Sequence, residues 1–65
     1  PMNIYQIQAN KPQGATHYME LGRYTDGSGY LIAYYQLKNS KLFVFDCGVW
    51  VDSEYSISNA NIKPL

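Results

Sequence analysis

Residues 30–52 read Tyr-Leu-Ile-Ala-Tyr-Tyr-Gln-Leu-Lys-Asn-Ser-Lys-Leu-Phe-Val-Phe-Asp-Cys-Gly-Val-Trp-Val-Asp. Apolar and aromatic residues fill three short runs, and polar or glycine-containing breaks separate them at Lys38–Lys41 and Asp46–Gly48. β-branched and aromatic residues suit a pleated surface, and tight turns suit the breaks. The stretch therefore reads as three antiparallel strands joined by two hairpin turns. With Asn39-Ser40 in the first turn, Lys38 faces Lys41, Leu37 faces Leu42, Gln36 faces Phe43, Tyr35 faces Val44 and Tyr34 faces Phe45; Asn-Ser is a weaker turn signal than Asn-Gly and opposed lysines repel, so a four-residue loop is the alternative. With Asp46-Cys47-Gly48 as a three-residue loop, Gly48 takes a left-handed position, Phe45 pairs with Val49 and Val44 with Trp50.

This register makes both faces apolar. One carries Ile32, Tyr34, Phe43, Phe45, Val49 and Val51; the other carries Leu31, Ala33, Tyr35, Leu37, Leu42, Val44 and Trp50. An antiparallel sheet usually keeps one face wet. Something must cover the second, and only two short end segments remain to do it. Any uncovered part is a candidate contact for another chain.

Outward from the centre, Ala15–Leu21 reads as a further strand, with Thr16, Tyr18 and Glu20 on one face and Ala15, His17, Met19 and Leu21 on the other. Gly22–Gly29 holds three glycines and an Asp26-Gly27 turn signal, which predicts a flexible connector. Asn10–Gly14 contains Pro12 and reads as a loop. Met2–Gln8 alternates loosely and is read as a strand, although Ile4 and Ile7 also fit one turn of helix. From Ser53 the chain turns polar. Pro64 excludes a long terminal helix, and Ile57 and Ile62 are expected to tie an extended tail to the sheet, with Ser56–Ala60 able to form one helical turn. The fold class is mainly β: one domain over residues 1–65, a three- to four-stranded antiparallel meander with packed termini. Pro1 before Met2 reads as a cloning scar.

At 65 residues the chain buries only about 60% of the surface its unfolded form exposes. A single cysteine, Cys47, cannot close an internal disulfide, and one Cys with one His offers no four-ligand zinc set. Five basic and five acidic residues give zero net charge. Duplex DNA binding through phosphates calls for a basic face, which the sequence lacks. No apolar run approaches about 20 residues, so no membrane span is expected. No basic stretch leads into an apolar run as in a signal peptide, so no leader is expected, and no Asn-x-Ser/Thr acceptor occurs. These features fit a reducing cytoplasm.

Candidate chemistry is sparse. His17 is the one histidine, the usual general-base residue type, yet no spacing sets a nucleophile and an orienting acid around it, and a histidine within a strand is more often structural. Asp26-Gly-Ser-Gly29 lacks the Lys-Ser/Thr and following helix of a phosphate loop. Cys47 has neither a flanking base nor a second thiol. No catalytic, cofactor or metal residue is assigned. Seven tyrosines with Trp50, Phe43 and Phe45 remain. Such rings either build a small core, serve as binding anchors, or stack single-stranded bases. The last use calls for interleaved basic residues, and Arg23, Lys38 and Lys41 are few while Asp46, Asp52 and Glu54 crowd the Trp50 strand.

Gln13-Gly-Ala-Thr-His-Tyr18, the aromatic-rich strands, Gly48-Val-Trp50-Val51 and the closing Ile62-Lys-Pro-Leu65 together resemble small tailed-phage proteins. Those proteins open on Pro-x-Gly-Ala-Thr-His-Tyr, run through a Trp- or Tyr-rich middle and end in an Ile-Pro-Leu-like segment. The resemblance covers residues 12–65; the N-terminal segment and the Gly22–Gly29 insertion depart from it. It implies a phage origin and a compact β fold. With the two-sided apolar sheet and the absence of catalytic groups, the expectation is a non-enzymatic module in the host cytoplasm that binds and inhibits or modulates a host protein. Binding is expected to centre on Tyr24, Tyr30, Tyr34 and Trp50, with Arg23 and the Gly22–Gly29 loop at the rim. Homodimerisation through the sheet is expected, and nucleic acid is not. The alternatives are a single-stranded nucleic-acid binder and a virion accessory protein.

Overall fold

A computed structural model describes residues 3–27 and 29–65. Pro1, Met2 and Ser28 lie outside the described residues, and with them the reading of Pro1 as a scar and the place of Ser28 in the connector. The elements run α1 (Ile4–Ala9), β1 (His17–Arg23), β2 (Tyr30–Lys38), β3 (Lys41–Asp46), β4 (Val49–Asp52) and β5 (Lys63–Pro64). The strands form one antiparallel sheet in the order β4-β3-β2-β1-β5. The four longer strands are a meander, and the tail adds β5 beyond β1.

The β2–β3 hairpin has the register expected of the two-residue turn: Lys38↔Lys41, Leu37↔Leu42, Gln36↔Phe43 and Tyr35↔Val44. Asn39 and Ser40 both take positive φ, 52° and 63°, the geometry that matches a two-residue turn to strand twist. Serine has no intrinsic preference for that region. Ser40→Gly is therefore expected to raise stability by about 0.5–1 kcal/mol, read as a higher urea midpoint at unchanged slope. An unchanged or lower midpoint would show that the turn carries no strain.

The β3–β4 turn differs from expectation by one residue. Cys47 and Gly48 alone form it, at φ 49° and 86°, so Asp46 pairs with Val49, Phe45 with Trp50, Val44 with Val51 and Phe43 with Asp52. The tighter turn is possible because Cys47 accepts a left-handed backbone. One residue of slip exchanges the faces of a strand. Trp50 therefore lies beside Phe45, their rings 5.0 Å apart at 62°, while Val49 and Val51 move to the face of Val44.

The N-terminal segment is a helix, not a strand. Asn3 caps it, its side chain accepting from the Tyr5 backbone N–H, and the cap satisfies a donor that the helix leaves open. Helical spacing then turns Ile7 inward, where it is 1% exposed. The Tyr34 hydroxyl donates to the Ile7 carbonyl at 2.7 Å, and Gln36 Nε2 donates to the Gly14 carbonyl at 3.1 Å. Residues 3–15 thus lie over the face of Tyr34, Gln36 and Trp50. Gly14 sits at φ 94°, and a Cβ there would stand 2.8 Å from Gln36 Nε2 and 3.6 Å from Trp50 Nε1, so glycine lets the loop close onto the sheet.

The opposite face carries the core of Met19, Tyr35, Leu42 and Ile62, bordered by Ala33, Leu37 and Val44. The tail covers it. Ile62 is buried, but Ile57 is 43% exposed, so the two-point tether expected of the tail is a single one. Residues 56–62 form successive turns in place of a helical turn, with Asn59 donating to Ser56 and Ile62 to Asn59. The Leu65 N–H then donates to the Thr16 carbonyl. The fold is three layers: helix and loop, sheet, tail.

Candidate functional site

The five residues singled out by sequence occupy three places. Arg23 and Tyr30 face each other across β1 and β2. Arg23 Nη2 and Nε donate to the Tyr30 hydroxyl at 2.8 and 3.1 Å, and its guanidinium lies 5.1 Å from the ring centroid. Planar guanidinium suits both contacts. Tyr24 follows, 49% exposed, with its N–H donating to the Gly29 carbonyl at 2.9 Å. A bulge between Glu20 and Gly22 shifts the β1–β2 ladder just before this end, and Leu21 and Leu31 stand exposed beside it. The hairpin end therefore gathers Leu21, Arg23, Tyr24, Tyr30 and Leu31.

Tyr34 and Trp50 are not part of that cluster. Tyr34 is half-buried beneath α1, its hydroxyl taken by Ile7. Trp50 is half-buried at the far edge of the sheet against Phe45. Leu21 and Leu31 went unremarked as contact residues because their alternation reads as core; the bulge at Leu21 has no distinct signal beyond Gly22.

Burial pushes the Tyr34 phenol above its ordinary value of 10.0. Burial does the same to Tyr35, helped by the nearby Tyr55 and Glu54. The folded chain thus holds these two protons more tightly than the unfolded one, so the contribution of Tyr34 and Tyr35 to stability is full below about pH 10 and is lost as pH rises past it. Tyr34→Phe is expected to cost about 1–2 kcal/mol at neutral pH through the lost hydrogen bond, and to shallow the alkaline decline. Thermal melts from pH 8 to 11.5 check both; an unaltered alkaline slope would place the effect elsewhere.

Thr16 Oγ1 accepts from the Leu37 N–H at 2.8 Å and lies 2.7 Å from His17 Nδ1. The pair fixes the entry to β1. Cys47 is exposed, and a hydrogen bond to Asp46, with the charge of that carboxylate, pushes its thiol above the ordinary value. A raised thiol holds less nucleophilic thiolate at neutral pH. Among the described residues no three His, Cys, Asp or Glu side chains converge as a metal site, and no helix is long and apolar enough to cross a membrane.

The sheet also has an open edge at β4, where Val49 is 57% and Val51 38% exposed. Lys41 and Asp52 pair at 3.3 Å with both side chains largely in water, a contact of little energetic weight. No protein-family model matches this chain, and no curated protein or solved structure matches it significantly.

Proposed function

We propose that this chain is a non-enzymatic protein-binding module of phage origin that occupies and modulates a surface of a host protein. One observation carries the reading: the clamped Arg23–Tyr30 pair sits at the end of the β1–β2 hairpin beside the exposed Leu21, Tyr24 and Leu31. Tyrosine and arginine are the residue types that dominate binding hot spots, because they give large stiff contact area with a polar tip. Holding Arg23 against Tyr30 before binding lowers the entropy lost on association. The resemblance of Gln13–Tyr18 to small tailed-phage proteins supports the host as the source of the partner.

The test is affinity capture from a bacterial host lysate with mass-spectrometric identification, comparing the native chain with Arg23→Ala/Tyr24→Ala. A specific host protein is expected with the native chain, and its affinity is expected to fall about 30-fold or more in the variant, a hot-spot loss of about 2 kcal/mol. No enriched protein, or equal capture by both chains, would sink the reading. Circular dichroism of the variant separates lost contact from lost fold.

A further inference from the structure

We infer that the outer edge of β4 takes up an extended, basic-flanked apolar segment of the partner as a sixth strand. The inference rests on the protein-binding reading and names the chemistry of a second contact within it.

The edge is built for pairing. β4 heads the strand order and, among the described residues, pairs only with β3. The two-residue Cys47-Gly48 turn makes Asp46–Val49 a hydrogen-bonded pair, so bonded and non-bonded pairs alternate along the ladder. The Ser53 N–H donating to the Leu42 carbonyl at 3.1 Å continues the same phase. Val49, Val51 and Ser53 therefore spend their backbone groups on β3. Trp50 and Asp52 aim theirs outward, where an added strand would find two donors and two acceptors.

The side chains specify the occupant. Val49 and Val51 offer exposed apolar surface on one face and Trp50 half-buried surface on the other, which suits a strand with alternate aliphatic residues. Charge specifies its flanks. Asp46, Asp52 and Glu54, three of the five acidic residues of an otherwise neutral chain, lie on or next to this edge, and all are exposed. Among the described residues, Lys41 forms an ion pair with Asp52. A segment with Lys or Arg around its apolar residues meets complementary charge; a second copy of this edge would bring like charges together. Charges on an edge also deter unwanted pairing. That protective role predicts rejection of every strand, so the two readings part on one measurement.

The probe is a nine-residue peptide, Lys-Val-Thr-Val-Lys-Val-Thr-Val-Lys, acetylated and amidated, titrated into the 15N-labelled full chain at low salt. Two controls accompany it: the same peptide with Glu for Lys, and the basic peptide with all internal amides N-methylated. The expected result is amide shifts centred on Trp50 and Asp52, exchange at those amides slowed about tenfold or more, and binding about tenfold or more weaker for both controls. Asp52→Lys/Glu54→Lys should reverse the preference between basic and acidic peptides, with unchanged spectra elsewhere reporting the intact fold. Equal behaviour of the three peptides, shifts confined to the Tyr24 end, or edge protection that rises with protein concentration alone would each overturn the inference. Host-protein capture that depends on Arg23 and Tyr24 but not on Asp52 and Glu54 would remove this edge while leaving the protein-binding reading in place.

Discussion

Ile62→Ala is expected to lower the unfolding free energy by about 2–4 kcal/mol, the usual cost of truncating a buried isoleucine together with the cavity it leaves. Ile62 is 7% exposed and completes the cluster of Met19, Tyr35 and Leu42. A chain of 65 residues holds about 3–10 kcal/mol in total, so one methyl-rich side chain carries a large share. The loss should also spread to β5, because Lys63 and Pro64, which pair with β1, directly follow Ile62. Urea unfolding measures the energy, and hydrogen exchange at Leu65, whose N–H bonds Thr16, reports the tail. A loss below about 1 kcal/mol would show that the tail is not a structural layer.

Ile7→Ala is expected to cost about 2–4 kcal/mol by the same reasoning on the other face. α1 has six residues, far short of the length at which an isolated helix persists in water. Its order depends on Ile7 and on the Tyr34–Ile7 hydrogen bond. Without that anchor the helix should leave the sheet, wetting Tyr34 and shifting Trp50 emission to the red. Tyr34→Phe and Ile7→Ala share one contact, so their costs should add to less than their sum. Strict additivity would mean the hydroxyl and the isoleucine hold different parts of the segment.

The β2–β3 register was legible because Asn39-Ser40 sits midway between two apolar runs, and the structure takes the two-residue turn over the four-residue loop that the opposed lysines left open. The next turn was not: Cys47 at positive φ is a conformation that cysteine does not advertise, and the three-residue loop it displaced put Trp50 on the wrong face. The helix was obscured because Ile4 and Ile7 satisfy both periods over so short a segment; Asn3 ahead of them was the cap signal. The need for cover on both faces followed from alternation alone, and the chain's two ends supply much of it. Which apolar residues stay outside depended on the bulge at Leu21 and on the path of the tail past Ile57, and neither leaves a mark in the pattern. Of the candidate contacts, Arg23, Tyr24 and Tyr30 cluster because the hairpin brings residues 23 and 30 into register. Tyr34 and Trp50 could not be placed without the helix and the tighter turn.

The strand order β4-β3-β2-β1-β5 carries a kinetic consequence. From β1 to β4 every strand lies beside its predecessor, so three hairpins can close short loops at small entropic cost and form early. The β1–β5 pairing spans most of the chain and is the natural last step. A lesion at Ile62 would then speed unfolding while leaving the refolding limb of the chevron nearly unmoved. The meander would stand, briefly, with its Tyr35 side bare.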